Sequence, residues 1–294
     1  MLKACLQSFA SGSVNLITAD PVEMPSGKDA AYENFPVGSV LLPKGLRRHV
    51  ACFYAFARAA DDIADSPDLS PQEKNQRLEG FQNVLLGKGS NDRACQNALN
   101  MAESLNDTGV SPQHCLDILA AFRQDAVKSR YDSWSELMAY CRLSAAPVGR
   151  YLIDLHGGCR LGYWPSDALC AALQLINHVQ DCGDDYRTLG RVYLPGDWMS
   201  DAGAVFADLG AAQVSPALRR VLDWMAHGID TLLLDAGSLS GNLYSSRLGF
   251  EASVIFQIAR ALNSKLKKHD PLSRRIELSK PELLVCSIRG LLSR

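Results

Sequence analysis

Residues 53–65 read FYAFARAADDIAD, and the placement of charge there narrows the fold more than any other feature of the chain. At 3.6 residues per turn, Tyr54, Arg58, Asp61 and Asp65 fall on one narrow stripe, with Asp62 beside it. Cys52, Phe53, Phe56, Ile63 and a run of alanines cover the rest of the wheel. The usual amphipathic pattern is inverted: a thin polar line marks an otherwise apolar helix, which belongs inside a bundle rather than on its surface. Uncompensated burial of such carboxylates costs several kcal/mol per ion, so the stripe requires cations. Arg58 can serve one carboxylate; a divalent cation would serve both.

A second segment repeats the pattern. In QLINHVQDCGDD, residues 174–185, the positions Gln174, Asn177, Asp181 and Asp185 share a stripe, with Asp184 alongside and Leu173, Leu175, Ile176, Val179 and Cys182 around it. One D-xxx-D pair arises easily by chance. Two inverted helices, each with hydrogen-bonding residues one and two turns upstream, would make an oxygen-rich cage if they faced each other. Carboxylates without a His/Cys cluster suit a hard cation such as magnesium, which keeps waters and binds substrate phosphates. His178, beside the second stripe, reads as a hydrogen-bonded bystander.

The remaining chain is predominantly helical. Period-two alternation is brief, and no Asn-Gly or Asp-Gly turn joins two β-rich runs. Helices are predicted near 43/46–64, 71–86, 92–106, 112–130, 133–156, 166–188, 214–239 and 246–267, followed by a C-terminal one, with Pro147 interrupting the fifth. SPDLSPQEK (66–74) should end the first helix and cap the second. The expectation is a flexible lead-in over 1–30 and one all-α domain over 31–294, its helices packed around a shared centre. A net charge of −2 argues against a nucleic-acid binder. Nine cysteines without CxxC or metal-ligand spacing suit reduced thiols in the cytoplasm. No run approaches the length of a membrane span, which leaves a peripheral contact at the inner membrane face open. P-loop, Rossmann and nucleophile-elbow motifs are all missing. What fits is a magnesium-held diphosphate in an apolar helical cavity, the equipment for ionising an allylic or cyclopropylcarbinyl diphosphate.

FYAFARAADDIAD, QLINHVQDCGDDYRTLGRVYLP and YCRLSAAPVG together resemble the squalene/phytoene synthase family, from about Glu33 to Pro195, with a weaker helical continuation to about Leu266. The resemblance implies an all-α, isoprenoid-synthase-type helical bundle around a central cavity, in which Asp61, Asp65, Asp181 and Asp185 hold magnesium ions, assisted by Asp62 and Asp184. It further implies that Tyr54, Arg58, Gln174 and Asn177 position the diphosphate or a metal-bound water, with Tyr54, Arg58 and Asn177 as catalytic residues. Arg191 and Tyr193, in GRVYLP, resemble a segment that closes over the pocket.

Two departures refine this. Members that condense two prenyl diphosphates usually begin with a basic SKSF-like stretch, where this chain has YENFPVGS. Squalene synthases carry a tyrosine where Leu143 stands in YCRLSAAPVG. ENFPVGSVLLP and RLSAAPVG instead resemble the bacterial hydroxysqualene synthase branch, whose members ionise presqualene diphosphate and quench the cation with water. That branch implies functional links to a presqualene diphosphate synthase and a flavin-dependent reductase. Head-to-head prenyl transfer, giving presqualene diphosphate, squalene or phytoene, is the alternative within the family. A non-catalytic helical scaffold or lipid-binding protein is the alternative outside it.

Overall fold

A computed structural model describes residues 43–88 and 95–293; the lead-in over 1–30 and the YENFPVGS segment lie outside them. Among the described residues the chain forms α1 (Arg47–Asp65), α2 (Pro71–Leu85), α3 (Gln96–Thr108), α4 (Gln113–Asp125), α5 (Trp134–Ser144), α6 (Ala146–Leu155), α7 (Tyr163–Gln180), α8 (Cys182–Leu189), α9 (Gly196–Ala202), α10 (Pro216–Ala236), α11 (Ser246–Leu266) and α12 (Lys280–Leu292). No strand is present among them, only a bridge between Tyr131 and Pro195. The domain is an all-helical bundle.

Local chemistry sets most boundaries. Ser70 and Glu73 form a reciprocal capping box ahead of α2, with Pro71 in the first turn. Ser133, Ser215 and Ser245 cap α5, α10 and α11 through their hydroxyls. Gly109, Gly190 and Gly203 end α3, α8 and α9 in the left-handed conformation.

Two helix bounds need correction. The helix expected over 112–130 stops at Asp125, because residues 129–132 run alongside 192–197: Val192 N–H donates to Ser129 (2.9 Å) and Gly196 N–H to Tyr131 (2.8 Å). The helix expected over 133–156 with Pro147 interrupting it does break, at Ala145, with Pro147 in the first turn of α6. The helix expected over 166–188 starts at Tyr163 and divides at Asp181. The short α9 was not foreseen.

Two apolar clusters fill the bundle. The smaller joins α1–α4 to α6, with Phe53 stacked on Tyr151 at 4.0 Å and the Tyr151 hydroxyl donating to the His49 carbonyl at 3.1 Å. The larger surrounds α7, which is buried on almost every side, as a helix apolar all round must be. The inward stripes of α1 and α7 thus hang from helices that packing holds rigid.

Two substitutions probe this packing. Glu251 of α11 is 1 % exposed and finds no hydrogen-bond partner among the described residues, so burial pushes its carboxyl up to about 8. The folded protein keeps that proton up to about pH 8, whereas the unfolded chain releases it near pH 4.5. Stability contributed by the neutral form is therefore complete below pH 4.5 and lost as pH rises through 8. Glu251→Gln should match the wild type at the acid end and exceed it by up to about 5 kcal/mol at the alkaline end, read by urea unfolding across the window. Gly290 of α12 lies against α11, where an added Cβ would meet the Val254 Cα at 2.6 Å. Gly290→Ala should cost about 1–3 kcal/mol in the same assay by forcing the helices apart.

Candidate active site

The C-terminal half of α1 delivers the first stripe. Asp61 is 2 % exposed, and the Arg58 guanidinium lies 3.5 Å from its carboxylate and 2.8 Å from that of Asp62. Burial raises the Asp62 pKa, Arg58 opposes that, and the neighbouring Asp61 and Asp65 add to the rise. Tyr54, half-buried, packs against the smaller core one turn earlier.

The second stripe lies on α7 and α8. Gln174 donates to the Ser144 hydroxyl at 2.7 Å, which donates to the Tyr140 carbonyl at 3.0 Å. Although the helix divides at Asp181, its hydrogen bonding continues: Asp181 N–H reaches Asn177 O and Asp185 N–H reaches Asp181 O, both at 2.8 Å. Asn177, Asp181 and Asp185 consequently keep one direction across the junction. Asp184 lies on the solvent side, paired with Arg187 at 2.7 Å.

The two stripes meet. Burial and the charges of Asp181 and Asp65 push the Asp185 carboxyl up to about 7, so the α1 and α8 carboxylates share one electrostatic environment. Arg191, just past α8, bridges the halves: one guanidinium nitrogen lies 2.5 Å from Asp65 and the other donates to the Ala64 carbonyl at 2.9 Å. Arg275, between α11 and α12, approaches Asp181 to 3.7 Å. Lys74 of α2 feels both Arg191 and Asp65; burial and Arg191 lower its pKa while Asp65 opposes them.

Behind Arg191 lies a layer that only partly follows from the sequence expectations. Tyr193 is buried, donates to Asp125 at 3.1 Å, and stacks on His178 at 4.0 Å. Tyr140 donates to the other Asp125 oxygen at 2.7 Å, and Tyr131 stacks beside Tyr193. Burial pushes the Asp125 carboxyl up to about 7, against the pull of Arg191 and the two hydroxyls. His178 is stacked rather than hydrogen-bonded at Nε2 among the described residues, and burial keeps it neutral. Asp125 was not singled out beforehand, yet a signal existed: it follows Ile118, Ala121 and Phe122 on the buried face of α4.

The site therefore concentrates oxygen donors against a ring of cationic side chains. Among the described residues no three His, Cys, Asp or Glu side chains form a complete ligand set in this arrangement. The donors are all hard oxygens, burial and then their mutual repulsion raise Asp185, and that chemistry fits a divalent cation.

Comparisons agree with this architecture. The squalene/phytoene synthase family model matches residues 29–282. Hydroxysqualene synthase from Rhodopseudomonas palustris is 43 % identical over 271 residues, 92 % of each chain. The hydroxysqualene synthase of Sinorhizobium fredii is 44 % identical over 253 residues, 86 % of each. Among solved structures, squalene synthase from Alicyclobacillus acidocaldarius aligns with a TM-score of 0.68 at 26 % identity, covering 78 % of this chain and 86 % of that one. A dehydrosqualene synthase shares the fold with a TM-score of 0.68 at 22 % identity, over 85 % of this chain and 87 % of that one. With two carboxylate stripes meeting inside such a bundle and sequence similarity running along most of its length, the chain belongs to the squalene/phytoene synthase family.

Proposed function

We propose that this enzyme ionises presqualene diphosphate in a magnesium-dependent reaction and captures the rearranged cation with water, giving hydroxysqualene and diphosphate. The observation that carries the reading is the meeting of the α1 and α7–α8 carboxylate stripes beside Arg58 and Arg191. Similarity to hydroxysqualene synthases selects the water-quenched branch, and Leu143 in place of the tyrosine of squalene synthases supports the same choice.

Asp61, Asp65, Asp181 and Asp185 would hold magnesium, with Asp62 assisting, while Asp184 stays on the solvent side with Arg187. Bound there, magnesium supplies Lewis-acid stabilisation of the diphosphate leaving group. Arg58, Gln174, Asn177 and Arg191 hold and orient the diphosphate, Arg191 exchanging the Asp65 carboxylate for phosphate oxygens, a match that its planar fork favours. Tyr54 lines the approach beside Arg58, and Tyr193 fixes the layer beneath Arg191 through Asp125. The C–O bond breaks with both electrons leaving on diphosphate; one water oxygen bonds to the rearranged carbon and its proton is released. Apolar walls keep other water away.

Such a reaction needs an enzyme upstream that makes presqualene diphosphate and a flavin-dependent reductase downstream. The test is product analysis with purified protein, magnesium and presqualene diphosphate: release of diphosphate with a triterpene alcohol supports the reading. Turnover of farnesyl diphosphate alone, to presqualene diphosphate or squalene, would move the enzyme to the condensing branch.

A further inference from the structure

Three of the chain's four tryptophans meet at one place apart from the two carboxylate stripes. Trp134 opens α5, Trp198 lies in α9 and Trp224 in α10, and with Asp201, His227 and Gly228 they line a cavity of about 410 Å³. Trp134 and Trp198 stack with ring centroids 5.1 Å apart and planes 10° apart, and both pack against the larger apolar cluster. Trp224 stands across Trp198 at 76°, with centroids 6.1 Å apart, so the indoles form an aromatic corner. Trp224 itself is 38 % exposed and stands outside both apolar clusters. Trp224, His227 and Gly228 share one face of α10 at i, i+3 and i+4 spacing. Gly228 lets α5 come this close, because a Cβ there would meet the Trp134 indole at 2.6 Å. Glycine weakens a helix interior, and here it seats one wall of the cavity.

Charge and ring chemistry identify the ligand. The indole face attracts cations more strongly than the rings of tyrosine or phenylalanine. Among the described residues, cations lie over Tyr131, Phe206, Tyr163 and Phe256, and none lies over a tryptophan. No lysine or arginine lines the cavity. The arginines that precede Trp224 on α10 are engaged elsewhere: Arg219 pairs with Asp223 at 2.9 Å, and Arg220 donates to the Ala202 carbonyl. The Asp197 carboxylate accepts the Trp198 backbone N–H at 2.8 Å. Asp201 makes no ion pair among the described residues and is the one carboxylate on the cavity wall. A metal ion would need more oxygen donors than Asp201 offers, an anion would be repelled by it, and a purely apolar ligand would leave it unused. Aromatic walls with one carboxylate and no cation of their own suit a positive charge that carries apolar substituents. We infer that this cavity binds a small organic cation of the alkylammonium class, its charged head in the Trp198–Trp224 corner beside Asp201. The site does not depend on the proposed reaction.

The test is calorimetric titration of the full chain with choline and with its neutral tert-butyl isostere, in which carbon replaces the charged nitrogen. Choline should bind with a Kd on the order of 1 mM, and the isostere about tenfold more weakly or worse. Tryptophan fluorescence should follow the same isotherm, also in Trp164→Phe, which removes the one tryptophan outside the cavity. Asp201→Asn and Trp224→Leu should each weaken choline by about five- to tenfold while keeping the circular dichroism of the wild type. Displacement of choline by phosphatidylcholine vesicles would assign the ammonium group to a lipid headgroup, and failure to displace it would assign a free solute; both uphold the site. The inference is overturned if choline does not bind, if the isostere binds equally well, or if both variants bind choline as the wild type does.

Discussion

Arg191→Gln should lower kcat/KM by about a hundred- to a thousandfold and destabilise the protein at the same time. Arg191 is 5 % exposed and ties together chain segments 126 residues apart, through Asp65 and the Ala64 carbonyl. Removing one partner of a buried ion pair costs about 3–5 kcal/mol, and because the Asp65 side chain is 23 % exposed the lower end applies. Glutamine would also leave Asp65 beside Asp181 and Asp185 with less positive charge among them, so the Asp185 carboxyl should bind its proton more tightly. Lysine restores the charge but not the fork, and Arg191→Lys should recover stability more than turnover. Urea unfolding and steady-state kinetics on the three proteins separate these effects. A glutamine variant with wild-type stability and turnover would reduce Arg191 to a packing residue.

Asp61→Asn and Asp181→Asn should each abolish nearly all turnover, by about a thousandfold or more, because several kcal/mol of leaving-group stabilisation pass through these carboxylates. Stability should not suffer. Each substitution relieves repulsion among Asp61, Asp62 and Asp65 or between Asp181 and Asp185, and Arg58 keeps Asp62 as its partner. Thermal melting with and without magnesium plus diphosphate supplies a second readout. Ligand bound only to the folded state should raise the wild-type Tm and fail to raise that of either variant. A scaffold or lipid carrier would show wild-type behaviour in every one of these assays.

The residues of α1 were legible in advance because the inversion is local: four polar side chains at helical spacing against an apolar background state both the helix and its burial. The second stripe was legible for the same reason, and the break at Asp181 was not, since hydrogen bonding continues through it and leaves the spacing intact. Asp184 shows the limit of a helical wheel. It lies beside the stripe in projection, yet it turns to solvent and pairs with Arg187. Asp125 escaped notice because a single carboxylate on an apolar face has no partner visible in its own segment; Tyr140 and Tyr193 reach it from elsewhere. The α9 helix was missed because seven mostly small or polar residues after Pro195 offer little periodicity.

The amino-acid sequence alone determined the helical class, the two carboxylate stripes and the family, because side-chain period and local capping chemistry act over a few neighbouring residues. Only the tertiary structure decided that Arg191 neutralises Asp65, that Asp125 lies beneath them, and that the apolar stripe of α12 faces outward. These depend on which distant segments come within a few ångströms of each other. An apolar residue on a helix carries the same local signal whether its face meets a neighbouring helix or is left exposed.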